Sequence, residues 1–84
     1  MKINVLQKRL DETKLNEEIQ KFEILNNQAA YLFMNEETID ELASVCTPQI
    51  YLESTEGING MICYYHGRRV YKNENLKLGE VEIR

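Results

Sequence analysis

Eighty-four residues, 43% of them hydrophobic and 29% charged, make a single domain. At this length only about 60% of the unfolded chain's surface is buried on folding, so function is expected on a surface rather than in an enclosed cavity. No stretch approaches the ~18 consecutive apolar residues of a membrane span, the formal charge of −4 argues against direct DNA binding, and two cysteines without framework spacing fit reduced thiols.

The acidity belongs to the first half of the chain: residues 1–42 hold nine acids and five bases, whereas residues 43–84 hold five of each. Residues 1–27 are rich in Lys, Glu, Gln and Leu, contain no Gly or Pro, and read as a helical N-terminal segment. Its phase slips. Ile3, Leu6 and Leu10 share one face and Leu15, Ile19 and Phe22 another, so a short first segment followed by a main helix from about Glu12 to Leu25 is expected. Asp11 is the candidate N-cap, and Leu10 with Leu15 has the spacing of a hydrophobic staple. A single kinked helix, offering one face to a second subunit, is the alternative.

Residues 28–84 form a strand, helix and hairpin unit. Ala30 to Met34 is a short apolar run that suits a buried strand. A second helix follows, with Asn35 as N-cap, Glu36 and Glu37 in the first turn, and Ile39, Leu42, Ala43 and Cys46 as its inward stripe. Thr47-Pro48 stops it. Ile50 to Leu52 reads as a strand, Ser54 to Gly57 as a loop, and Asn59-Gly60 as a turn leading into the hairpin Met61 to Tyr71, which folds back at His66-Gly67. Val81 and Ile83 alternate with polar residues in a closing strand. The order predicts an α+β fold: N-terminal helix, short strand, second helix, then a small, mainly antiparallel sheet.

Chemistry finds little purchase. Cys46 falls on the apolar stripe of a helix, and Cys63 and His66 are three residues apart, which places them on opposite faces of an unbroken strand, so no catalytic residues are assigned. Three Cys and His ligands at most, with no paired C-x2-C spacing, fall short of a structural metal site, and no motif calls for a cofactor. The carboxylates of Glu17-Glu18 and Glu36-Glu37 point about 100° apart on helices and read as solvated faces.

The hairpin tip is the candidate binding site. Tyr64, Tyr65, His66, Arg68, Arg69 and Tyr71, with Lys72 beyond them, put three cations and a titratable imidazole into nine residues that contain no acid. Arginine forks take carboxylate or phosphate, and tyrosine rings pack under guanidinium groups. An anionic ligand, such as a nucleotide shared across an oligomer, is one expectation. The other is an ordinary hairpin whose charges are met by Glu80 and Glu82 of the closing strand.

Tyr31 to Thr38 (YLFMNEET), the pattern YxGxxVYxxxxL over Tyr65, Gly67, Val70, Tyr71 and Leu76, and the closing GEVEIR of Gly79 to Arg84 resemble small accessory proteins encoded by phages and prophages of Gram-positive bacteria. The C-terminal part is also similar to the peripheral A-domain pattern of phage major capsid proteins. The resemblance implies a stoichiometric binder of a host protein in the bacterial cytoplasm, an inhibitor or adaptor such as an anti-defence or anti-CRISPR protein. The alternatives are an oligomeric sequestering protein for an anionic signalling nucleotide, and a minor structural or assembly protein that self-associates through its N-terminal helix.

Overall fold

A computed structural model describes residues 1–46, 50–52 and 61–84, with side chains described for 1–45 and 63–84. In chain order these form β1 (Lys2–Asn4), α1 (Glu12–Asn26), β2 (Leu32–Met34), α2 (Glu36–Cys46), β3 (Ile50–Leu52), β4 (Met61–Tyr65), β5 (Arg68–Lys72) and β6 (Glu80–Ile83). The strands make one six-stranded sheet in the order β1-β6-β2-β5-β4-β3. Only the central pair, β2 and β5, is parallel, and the other neighbours run antiparallel. The α+β class and the expected order of helix, strand, helix and sheet hold. Among the described residues no helix is long and apolar enough to cross a membrane.

The helices follow their local chemistry. Asp11 caps α1, its carboxylate accepting from Lys14 N at 3.0 Å, and Asn27 ends the helix in the left-handed region at φ 50°. Asn35 caps α2 by accepting from Thr38 N at 2.7 Å, and the Thr38 hydroxyl donates to the same oxygen at 2.7 Å. Thr38 is fully buried, and its oxygen also accepts from Gly79 N at 2.9 Å, so the cap of α2 is tied to the turn that enters β6. That turn needs its glycine. Gly79 has φ 84°, and a Cβ there would meet the Leu6 Cβ at 2.5 Å.

The expected helical segment over residues 1–27 is helical only from Glu12. Lys2–Asn4 instead pairs with β6, Ile3 lying opposite Val81. The polar-apolar alternation Lys2, Ile3, Asn4, Val5 serves a strand as well as the Ile3, Leu6, Leu10 spacing serves a helix, and the open edge of β6 decides between them. The Ser54 to Gly57 loop, the Asn59-Gly60 turn, the Thr47-Pro48 stop and the Cys46 side chain lie outside what is described.

One core joins the sheet to the helices. Leu15 and Ile19 of α1 and Ile39 and Leu42 of α2 pack against Leu32, Met34, Cys63, Tyr65, Val70, Val81 and Ile83. Strand register puts those sheet residues on one face: Leu32 lies opposite both Val70 and Ile83, and Cys63 opposite Val70. Both helices therefore cover the same side of the sheet. Among the described residues no helix packs on the other side.

Candidate functional site

The turn at the hairpin tip is formed by His66 at φ 49° and Gly67 at φ 79°, the paired left-handed residues of the two-residue turn that suits twisted strands. Tyr65 lies opposite Arg68 and Tyr64 opposite Arg69. Because successive residues of a strand face opposite ways, this register divides the six candidate residues. Tyr65 and Arg68, with His66 beside them, belong to the helix-covered face. Tyr64, Arg69 and Tyr71 belong to the open one.

On the covered face the polar groups are consumed by α1. Arg68 forms a fork on Glu23, its Nη2 donating to Oε1 at 2.6 Å and its Nε to Oε2 at 2.9 Å. The guanidinium beside it holds the Glu23 carboxyl below its usual range, against the opposing effect of burial, and the Ala30 N–H donates to the same carboxylate at 2.8 Å. The Tyr65 hydroxyl, buried, lies 3.0 Å from Glu12 Oε1 and 2.8 Å from the Asn16 carboxamide. A phenol has one proton to donate, so the hydroxyl serves one of these two acceptors, Glu12 Oε1 or Asn16 Oδ1, at a time. His66 packs edge-on against Tyr65, its Nε2 3.6 Å from Glu12 Oε1. Glu12, Asn16 and Glu23 fall within about 40° of one another around a helix of 3.6 residues per turn, so a single flank of α1 serves the whole inner side of the hairpin. Of the tip's charges, Arg68 is thus met by α1 and not by Glu80 or Glu82, since β2 lies between β5 and β6. Cys63 is also on this side, fully buried, where burial pushes its thiol up to about 11.

The open face carries a cross-strand row of rings. Phe33 of β2 stacks on Tyr71 of β5 with centroids 5.0 Å apart and planes at 16°, and Tyr31 meets Tyr71 edge-on at 6.3 Å. On the β6 side of Phe33 the Arg84 guanidinium sits 4.5 Å above the ring and pairs with Glu82 at 2.6 Å. Tyr31 is 43% exposed, and Phe33, Tyr64 and Tyr71 are half-buried. Arg69 is exposed among them and has no carboxylate partner among the described residues. Its pKa is raised by hydrogen bonding with Tyr71, and Tyr31 and Tyr64 act in the same sense.

Two members of this face, Tyr31 and Phe33, are absent from the residues singled out in the sequence, where they read as part of a buried apolar run. The signal was present in the alternation Ala30, Tyr31, Leu32, Phe33, Met34, whose larger aromatics occupy every second position. Compared with protein-family models, with curated proteins and with solved structures, the chain has no significant match.

Proposed function

We propose that this chain is a non-enzymatic, stoichiometric binding protein of the small phage-encoded accessory type, acting on a host protein as an inhibitor or adaptor in the bacterial cytoplasm. The observation that carries this reading is the open sheet face, where Tyr31, Tyr64 and Tyr71 lie about the exposed Arg69 and Phe33 stacks on Tyr71. Tyrosine and arginine are the residues that dominate binding energy at protein interfaces, and rings already fixed by their neighbours lose little conformational freedom on contact. A sequestering protein for an anionic nucleotide at the Arg68 and Arg69 tip draws less support, since Arg68 is committed to Glu23.

The test is co-purification of the tagged chain from host lysate, followed by reconstitution with the purified partner and light scattering. The reading expects a complex of fixed small-integer stoichiometry that forms without turnover of either component. A partner that is chemically altered, or a complex of indefinite size, contradicts it.

A further inference from the structure

The open face divides into two electrostatically different halves. Toward β6 and β1 the charges answer one another: Glu82 pairs with Arg84 and lies opposite Lys2. Toward β5 and β4 the described residues supply one exposed cation, Arg69, with Tyr64 across the strand pair and Tyr71 two positions along. A surface that carries an uncompensated guanidinium inside an aromatic frame is complementary to an anion with apolar neighbours.

We propose that the β4–β5 half of the open face docks an acidic segment of a partner protein, with a carboxylate taken by Arg69 and flanking apolar side chains laid on Tyr31, Phe33, Tyr64 and Tyr71. This rests on the binding-protein reading above and names the surface and the chemistry of its partner. Arg forks are matched to carboxylates in geometry, and tyrosine supplies large contact area at little conformational cost.

Two other occupants fit less well. Single-stranded nucleic acid needs several phosphate contacts and free ring faces on which bases stack. Phe33 instead has Arg84 on one flank and Tyr71 on the other, so its outward surface is an edge, and among the described residues this half offers a single exposed cation, enough for one carboxylate but not for a run of phosphates. A second copy arranged about a two-fold axis through this half would bring two Arg69 side chains together, which like-charge repulsion disfavours.

The experiment is a selection of linear peptides from a random displayed library on the full chain. It is followed by affinity measurements on the synthesised consensus peptide and by amide chemical shifts of the labelled chain. Enrichment of Asp or Glu flanked by apolar residues is expected, with shifts concentrated in β4 and β5. Arg69→Glu should weaken binding at least tenfold, whereas Lys8→Glu, the same change of net charge on an exposed residue elsewhere, should leave affinity within about twofold. Peptides whose affinity survives Arg69→Glu but falls on substitution of α1 or α2 overturn this surface and leave the binding-protein reading standing. A chain that selects no peptide and captures no protein overturns both. Tighter binding of a single-stranded oligonucleotide than of any acidic peptide, lost in Arg69→Glu, replaces the protein partner with nucleic acid, and concentration-dependent self-association abolished by that substitution replaces it with a second copy.

Discussion

Arg68 and Arg69 are neighbours in β5, yet the first closes a fork on Glu23 of α1 and the second lies among tyrosines on the opposite side of the sheet. The same contrast separates Tyr65 from Tyr64 and Leu32 from Phe33. Facing the helices, the Arg68 guanidinium and the Tyr65 hydroxyl find their partners on α1, and their apolar neighbours are sealed from water. Residues on the open face hold one another in place and leave ring edges in solvent, together with the Arg69 guanidinium, which has no carboxylate partner among the described residues. One face is built to keep the fold together, and the other has interaction capacity to spare.

Truncation of adjacent residues on β2 should give the largest separation between the two faces. Leu32, fully buried between Val70 and Ile83, should lose about 3 kcal/mol of unfolding free energy as Leu32→Ala, within the usual range for a buried leucine. Phe33→Ala removes a ring pair and a cation–ring contact and should cost about 1 kcal/mol. Denaturant melts of the two variants check this, and equal losses would erase the distinction.

The arginine pair comes next. Arg68→Ala strips the fork from a mostly buried Glu23 carboxylate and should cost about 2 kcal/mol, as charged hydrogen bonds of this kind do. Arg69→Ala should leave the denaturation midpoint where it is, because its side chain is solvated. A double-mutant cycle of Arg68→Ala with Glu23→Gln should return a coupling that the cycle of Arg69→Ala with Glu23→Gln lacks.

Tyr65→Phe sharpens the same contrast at the hydroxyl level. Removing a phenol that bridges Glu12 and Asn16 should cost about 1 kcal/mol in thermal or chemical unfolding, while Tyr64→Phe should be silent. The smallest effect is in pH. The Glu23 carboxyl is held below its ordinary 4.5 in the folded chain, so its contribution is fully present above that value and is lost as pH falls through the lower folded pKa. Stability of the wild type should fall more steeply below about pH 4.5 than that of Glu23→Gln, and parallel acid limbs would remove the ion pair from the account.

Much of this fold is legible in short-range chemistry. Asp11 and Asn35 announce their helices, Ile39 and Leu42 their inward stripe, and His66-Gly67 its hairpin, because caps, helical spacing and two-residue turns are local. Lys2 to Asn4 is not legible in that way, since its strand conformation depends on an edge contributed by β6 near the other end of the chain. The candidate site follows the same rule. Its residue types and its basic tyrosine-rich character are evident in the hairpin, but its division into two faces requires knowing which side the helices cover. The parallel pairing of β2 with β5 brings Phe33 beside Tyr71, a contact between residues 38 positions apart in sequence. Nothing local to either strand announces it.

The claim that the open half-face is the contact surface is tested most directly by paired charge reversal, measuring both the denaturation midpoint and the affinity for the selected acidic peptide. Arg69→Glu should keep the wild-type midpoint and lose at least tenfold in affinity. Arg68→Glu should lose stability while its folded fraction binds as the wild type does. An Arg69→Glu protein that binds unchanged, or an Arg68→Glu protein that stays as stable as the wild type and fails to bind, would contradict the division of the hairpin on which the account stands.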